Sequence, residues 1–257
     1  MIIDYKKLNG FVEILRDCNH DDIELKFDKD GMSFRMMDQS QISLIDYNLP
    51  SSEFIKYGKE DWSFASDTEI MGKVMKALRG ADEIEIKRKA IKKVDEEVSG
   101  KTDERYGAVF IHDTLKLDVE SFVCSDHPPK IPTADGMVDI VMHPKEFYKA
   151  LNKIESLGVN VIRINVDEDK LTLSAVSDSD ALKGTISSKL DKKYEKHKVT
   201  ISLDPLFKFV KRVALLNDSL DAKIALKLKT DSPISIVGEL CGGRLEYWLA
   251  PRIDYSD

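Results

Sequence analysis

The sequence repeats itself at a domain-sized spacing. Residues 27–34, FDKDGMSF, align with residues 166–173, VDEDKLTL, at an offset of 166 − 27 = 139. The same offset aligns two helical patterns of apolar residues, Leu8, Phe11, Val12 and Leu15 with Phe147, Ala150, Leu151 and Ile154. Residues 67–78 align with residues 204–215 once the offset relaxes by a residue or two. A fixed internal period constrains architecture more than any local pattern, and this one predicts two similar domains.

The composition is typical of a globular protein with apolar residues enough for two cores. Of the 257 residues, 42% are hydrophobic and 33% are charged, and no run approaches the roughly 20 apolar residues of a membrane span. The N-terminus lacks the basic-then-apolar layout of a signal peptide. Three widely spaced cysteines, Cys18, Cys124 and Cys241, disfavour a disulfide framework. We therefore expect a reducing, intracellular compartment.

Helical and alternating segments recur in the same order in both halves. Apolar residues at helical spacing predict four helices, over 8–15, 70–78, 144–157 and 204–216. Period-two alternation predicts strands between the helices, with a hairpin turn at 28–31 and a last strand of the first half over 106–117. The predicted fold class is α+β, with each domain packing two helices on antiparallel sheet.

The two predicted domains, 1–117 and 135–257, are joined by a linker over 118–134. Three prolines in five residues at its end disfavour helix and strand pairing. Its apolar residues, such as Phe122, indicate that the linker lies along a surface. The basic run 87–93 is followed by acidic residues, a pattern more typical of a solvated hairpin than of a DNA contact.

The sequence shows no pattern of catalytic or metal-binding chemistry. The five histidines lie on different predicted elements, and the lone C-x-x-H at 124–127 is half of a zinc site at best. A phosphate-binding glycine loop, a G-x-S-x-G elbow and an H-E-x-x-H motif are all missing. We predict no cofactor, no metal, no catalytic residue and no enzymatic activity.

Basic residues recur on the predicted exposed faces of all four helices. They are Arg16, Lys73, Lys76, Arg79, Lys149, Lys153, Lys208, Lys211 and Arg212. On any one helix such residues are ordinary solvated side chains, and Glu13 and Asp17 accompany Arg16 on the first. On four helices related by a repeat they would form one surface, which can contact a phosphate backbone without reading bases. The net charge of −7 disfavours coating of nucleic acid by bulk charge but not such a localised surface.

Three stretches occur in the order and at the spacing of one known family: MMDQSQISL at 36–44, LDVE at 117–120 and LEYWLAPRI at 245–253. They carry a resemblance to the PCNA-type DNA polymerase sliding clamps (proliferating cell nuclear antigen family) of archaea and eukaryotes. It implies a ring of three two-domain subunits that encircles duplex DNA and tethers replication and repair proteins to it. Such a ring is loaded by a separate clamp loader and is not an enzyme. The implied localisation is cytoplasmic and nucleoid-associated in an archaeon, or nuclear in a eukaryote.

The resemblance also implies site residues. DNA polymerase, nuclease and ligase would bind through PIP-type peptides in a pocket formed by Met37, Gln41, Leu44, Phe122, Val123, Cys124, Pro233, Trp248, Ala250 and Pro251. For Leu44 and Trp248 taken singly, a place in the core is a serious alternative. The first helix departs from the family pattern, because Gly10 and Phe11 stand where relatives often carry lysines.

Subunit contact would pair the strand over 106–114 with a neighbour's strand over 181–188. The residues predicted at this interface are Val109, Phe110, Leu182, Gly184 and Ile186. Two alternatives to a homotrimeric clamp remain: one subunit of a heterotrimeric clamp, and a duplicated scaffold protein that binds partners without encircling DNA.

Overall fold

The computed structural model describes residues 1–58, 61–90, 106–122, 128–176, 183–217 and 219–252. Within them the chain forms two compact units. The first contains Met1–Gln39, Asp46–Pro129 and Cys241–Arg244, and the second contains Ser40–Ile45, Lys130–Leu240 and Leu245–Asp257. No helix in the described ranges is both long and apolar enough to cross a membrane.

The first unit combines two helices with two stretches of antiparallel sheet. Its elements are β1 (Ile2–Asp4), α1 (Tyr5–Asp17), β2 (Asp22–Asp28), β3 (Gly31–Met37), β4 (Ser43–Pro50), β5 (Trp62–Asp67), α2 (Thr68–Ala77), β6 (Glu83–Ala90), β7 (Tyr106–His112) and β8 (Leu115–Val119). The first three residues of β4 belong to the second unit. One sheet has the order β1-β6-β7-β8, and elsewhere β5, β2, β3 and β4 lie side by side in that order.

The second unit repeats this combination. Its elements are β9 (Val138–Met142), α3 (Pro144–Glu155), β10 (Val161–Val176), β11 (Lys183–Ser202), α4 (Leu203–Leu216), β12 (Ile224–Leu228), β13 (Ile234–Leu240) and β14 (Gly243–Leu249). Strands β10 and β11 pair with each other, and β14, β13, β12 and β9 lie side by side in that order. The predicted α+β class, with two helices on antiparallel sheet in each half, is confirmed.

Stacked aromatic rings occupy the core of each unit. In the first, Phe11 of α1 stacks on Tyr47 with ring centroids 4.6 Å apart and meets the edge of Phe34 at 5.3 Å. In the second, Phe209 of α4 stacks on Tyr247 at 4.0 Å. Such pairs add to the stabilisation from burial alone, so the apolar face of a helix is held against sheet in both units.

The strand predicted over 106–117 is two strands. Strand β7 ends at His112, the chain turns at Asp113, whose φ is +50°, and β8 returns beside β7. His112 pairs with Leu115, and Ala108 pairs with Val119. The alternation continues across the turn in the sequence, which hides the hairpin.

Buried His20 makes the first unit sensitive to acid. Its imidazole is 3% exposed, and neither ring nitrogen has a hydrogen-bond partner among the described residues. Burial lowers the pKa of His20 from 6.5 to about 4, although Asp38 and Asp21 favour the protonated form. Because the unfolded chain binds this proton more readily, His20 makes stability fall as the pH drops from 6.5 to about 4.

We expect this loss to reach about 3 kcal/mol, since each pKa unit corresponds to about 1.4 kcal/mol. Urea unfolding at pH 4.5 and pH 7.5 measures it, and His20→Leu, which cannot titrate, should lose less stability between the two. Equal losses in the wild type and in His20→Leu would contradict the prediction and assign the acid sensitivity to carboxylates.

Candidate nucleic-acid interface

Helix α2 presents basic residues to solvent because its apolar residues define the opposite face. The carboxylate of Asp67 caps the helix, accepting hydrogen bonds from the backbone N–H groups of Glu69 at 2.6 Å and Ile70 at 3.1 Å. Its buried residues are Thr68, Met71, Val74 and Met75. Its exposed residues include Lys73 and Lys76, with Arg79 just beyond its end.

Helix α4 has the same design, and its buried residues match those of α2 at an offset of 135. Leu203, Leu206, Phe209 and Val210 correspond in this way to Thr68, Met71, Val74 and Met75. The offset therefore relaxes from 139 by four residues, rather than by the one or two we predicted. A change of four residues in the offset is about one helical turn. Matching residues therefore stay on the same face of the helix.

The offset of 135 also aligns the charged residues of the two helices. Lys208 corresponds to Lys73, Lys211 to Lys76 and Asp204 to Glu69. The ion pair between Lys73 and Glu69, at 3.8 Å, recurs between Lys208 and Asp204 at 2.8 Å. Lys211 is exposed, whereas Lys208 and Arg212 are half-buried. The repeat thus preserves two lysines and one carboxylate on the solvent face of each helix.

Helices α1 and α3 contribute fewer of the residues that we predicted to face DNA. Asp4 caps α1 through the backbone N–H groups of Lys6 and Lys7, and His143 caps α3 by accepting from the backbone N–H of Lys145. Arg16 is exposed on α1, as are Lys149 and Lys153 on α3. At the offset of 139, Arg16 corresponds to Glu155 and Lys149 to Gly10, so these basic positions are not shared by the repeat.

A polar groove of about 400 Å³ lies between α1 and α2. Its lining residues are Tyr5, Asn9, Glu13, Arg16, Glu69, Gly72, Lys73, Lys76 and Arg79. It gathers all four residues of the first unit that we predicted to face DNA. The two glutamates reduce its charge without cancelling it, and a guanidinium beside ammonium groups is a favourable arrangement for a phosphate.

The residues predicted to bind partner peptides differ in exposure. In the second unit Leu44 is 3% exposed and Trp248 is 2% exposed, whereas in the first Met37 is 38% and Phe122 is 40% exposed. Ala250 donates its backbone N–H to the carbonyl oxygen of Ile42 at 2.8 Å. The C-terminal segment therefore lies beside the loop that contains Gln41.

The start of the predicted linker is hydrogen-bonded to β5. Ala65 donates its backbone N–H to the hydroxyl of Ser121 at 2.9 Å, and Phe122 donates its backbone N–H to the carbonyl oxygen of Ala65 at 3.3 Å. Val123 and Cys124 lie outside the described residues. Pro233 and Pro251 are half-buried, and the peptide-binding role of the whole set stays a prediction.

The prediction that the strand over 106–114 lies at the edge of its sheet is wrong. Strand β7, which contains Val109 and Phe110, is paired on one side with β6 and on the other with β8. Both residues are buried and cannot contact a neighbouring subunit. Among the described residues the end strands of this sheet are β1 and β8, and the exposed Leu115 of β8 was missed. The turn at Asp113 would have been the sequence signal for a second strand, β8, beside β7.

The other half of the predicted interface lies on β11. Gly184 and Ile186 are half-buried, and residues 183–188 pair only with β10 among the described strands. A Cβ on Gly184 would collide with the side chain of Leu157. Leu182 lies outside the described residues.

The titratable groups in the described part of the chain form neither an activated nucleophile nor a metal centre. No three potential ligands from histidine, cysteine, aspartate and glutamate cluster there. Burial raises the pKa of the Cys241 thiol to about 11, which leaves it protonated and unreactive near neutral pH. Burial likewise raises the pKa of Tyr57 to about 12.

Residues 5–105 match the family model for the N-terminal domain of proliferating cell nuclear antigen. The DNA polymerase sliding clamp of Methanococcus vannielii is 24% identical over 243 residues, which cover 91% of each chain. Two solved structures are similar in fold. A PCNA of A. fulgidus bound to the C-terminal region of FEN-1 has a TM-score of 0.78 at 19% identity, with 100% of this chain and 99% of that chain covered. The PCNA2–PCNA3 complex of Sulfolobus tokodaii has a TM-score of 0.74 at 20% identity, with 98% and 99% covered. The resemblance to PCNA-type sliding clamps is therefore confirmed, by the family of the first domain and by the fold of the whole chain.

Proposed function

We propose that this protein is a DNA sliding clamp, a processivity factor that encircles duplex DNA as a trimeric ring and holds DNA polymerase and other replication proteins on it. The observation that carries the proposal is the repeated arrangement of Lys73, Lys76 and Glu69 on α2 as Lys208, Lys211 and Asp204 on α4. Exposed lysines contact phosphates without reading bases. A topological link needs no tight binding, so a few weak contacts leave the ring free to slide.

The assembly we propose joins β8 of one subunit to residues 183–188 of β11 of the next. Both strands have a side without a strand partner in the described part of the chain. A free strand edge invites pairing with another chain. Because the two edges differ, the contact is head-to-tail, and such contacts form a ring when the rotation between subunits closes. The ring that we propose closes with three contacts. A heterotrimer would use the same edges with different subunits.

The partners we propose are a clamp loader, and a DNA polymerase, nuclease and ligase that bind through PIP-type peptides. The exposed Met37 and Phe122 support peptide binding, and the relative from A. fulgidus is bound to a segment of FEN-1. We assign no enzymatic activity to this chain.

Two measurements test this function. Light scattering should give a mass near 3 × 29.1 = 87.3 kDa, and protein loaded on nicked circular DNA should stay bound in high salt and leave when the circle is linearised. Retention on circular but not on linear DNA shows a topological link, whereas ordinary binding does not distinguish circular from linear DNA. A chain that is monomeric alone but trimeric with other subunits is part of a heterotrimer, and equal release from both DNA forms indicates a scaffold.

A charge-reversal pair tests the DNA-facing surface. We expect Lys76→Glu with Lys211→Glu to weaken the affinity for a short duplex and to lower the slope of log affinity against log salt by at least about 0.9, the value of one phosphate contact. Lys29→Glu with Lys170→Glu is the matched control, since it makes the same charge change at exposed positions outside the helices. Equal effects of the two pairs would mean that only net charge matters.

A further inference from the structure

Gly72 leaves room for the side chain of Arg16 to cross α2. It is the one lining residue of the α1–α2 groove without a side chain. A Cβ built on it would lie 3.2 Å from both Cδ and Nε of Arg16 and 3.3 Å from Nη1. These separations are shorter than an ordinary van der Waals contact, so a larger residue at position 72 would push the Arg16 side chain away by a few tenths of an ångström.

The second unit fills the corresponding place with aromatic rings. At the offset of 135, Phe207 of α4 stands at the position of Gly72, and at the offset of 139, Tyr148 of α3 stands at that of Asn9. The rings of Phe207 and Tyr148 lie 5.7 Å apart, and the ammonium of Lys211 lies 5.9 Å from the centre of the Phe207 ring. Glu155 stands at the position of Arg16. The open, cation-lined groove is therefore a property of the first unit.

The cations of this groove remain available to an anion. Lys73 is paired with Glu69, but both side chains are more than three-quarters exposed, and such surface pairs contribute little. Arg16, Lys76 and Arg79 have no acidic partner among the described residues. Arg16 is the one basic residue that α1 contributes to the lining of this groove, so an anion contact from α1 within the groove depends on it.

We propose that Gly72 is a positioning residue, which holds the guanidinium of Arg16 over α2 beside Lys73 and Lys76 so that this groove binds one phosphate of the DNA backbone. The inference rests on the proposed clamp function and adds to it an asymmetry between the units. The first unit binds a phosphate between two helices, and the second presents Lys211 beside the ring of Phe207. A guanidinium donates two parallel hydrogen bonds to a phosphate, which an ammonium cannot do.

The test compares Gly72→Ala, Arg16→Ala and the double variant for binding to a short duplex over a range of salt concentrations. We expect Arg16→Ala to lower the slope of log affinity against log salt by about 0.9, the value of one phosphate contact, and Gly72→Ala to lower it by up to that amount. The double variant should equal Arg16→Ala, because both substitutions act on the same contact. The thermal midpoint of Gly72→Ala should match or exceed that of the wild type, since alanine favours the helix and only a flexible side chain must move. Gly58→Ala, with nothing within 4 Å of the added Cβ, should leave the slope unchanged.

The outcomes separate this inference from the proposed function. If the wild type shows no salt-dependent binding to duplex, the proposed function fails. If Arg16→Ala lowers the slope and Gly72→Ala does not, Gly72 does not position Arg16. Additive losses in the double variant would also overturn the inference, because the two residues would then act separately.

Discussion

Replacing Lys116 and Asp118 of β8 by proline should convert a species of about 3 × 29.1 = 87.3 kDa into monomers of 29.1 kDa. His112 and Leu115 pair across a two-residue turn, which closes with a hydrogen bond from the N–H of Leu115 to the carbonyl of His112. Because pairs along an antiparallel ladder alternate, the N–H groups of residues 116 and 118 point away from β7. Proline lacks this N–H, so the substitutions remove donors from the free edge and spare the bonds to β7.

Each interface would then lose two hydrogen bonds and leave two carbonyl groups of the neighbouring strand unpaired. A buried unpaired carbonyl costs about 1–3 kcal/mol, so each interface loses about 2–6 kcal/mol. The variant should also lose its retention on nicked circular DNA. Light scattering at several concentrations measures the mass, and circular dichroism checks that the subunit is folded.

The matched control is Lys116→Ala with Asp118→Ala. It removes the same charges and keeps both N–H groups, so it should remain near 87.3 kDa. A folded proline variant of unchanged mass would exclude β8 as the interface. A monomeric alanine variant would instead show that side chains, rather than the backbone, hold the subunits together.

Gly31→Ala should destabilise the first unit by at least about 4 kcal/mol, the range that single substitutions seldom reach. Gly31 ends the turn that the carboxylate of Asp28 organises by accepting from the backbone N–H groups of Asp30 and Gly31. Its φ of +143° is unfavourable for any other residue. A Cβ would collide with the carbonyl oxygen of Leu49 and lie 2.8 Å from the nitrogen of Ser51. These are backbone atoms of a paired strand and its continuation, which cannot swing aside.

Alanine variants of two other glycines distinguish the cost of backbone strain from the cost of a collision. Gly80 has a φ of +97° but nothing within 4 Å of an added Cβ, and Gly58 has neither constraint. Urea unfolding should therefore rank the alanine variants, from mild to severe, as Gly58, Gly80 and Gly31. Gly80→Ala should cost about 1–3 kcal/mol from strain alone. A Gly31 variant no less stable than the Gly80 variant would show that the collision is relieved by movement of the backbone.

Local patterns predicted the helices well, because burial on one face repeats along the chain with the period of the helix itself. The buried residues of α2 and the outward direction of Lys73 and Lys76 follow from the spacing of Met71, Val74 and Met75. The turn at 28–31 follows similarly from Asp28 and Gly31. Even the relation between α2 and α4 is present in the sequence, although its offset becomes clear only when the buried residues of both helices are known.

The pairing of strands needed the tertiary structure, because alternation shows which face of a strand is buried but not how many neighbours it has. Val109 and Phe110 alternate with the same period as residues of an edge strand, yet β7 has a partner on both sides. Leu44 and Trp248 are buried, whereas Met37 and Phe122 are exposed. The sequence does not predict this difference, since all four residues are large and apolar. The approach of Arg16 to Gly72 joins residues 56 positions apart (72 − 16 = 56). Folding brings them together because α1 and α2 pack against each other, and no local pattern encodes which side chain will cross a given glycine.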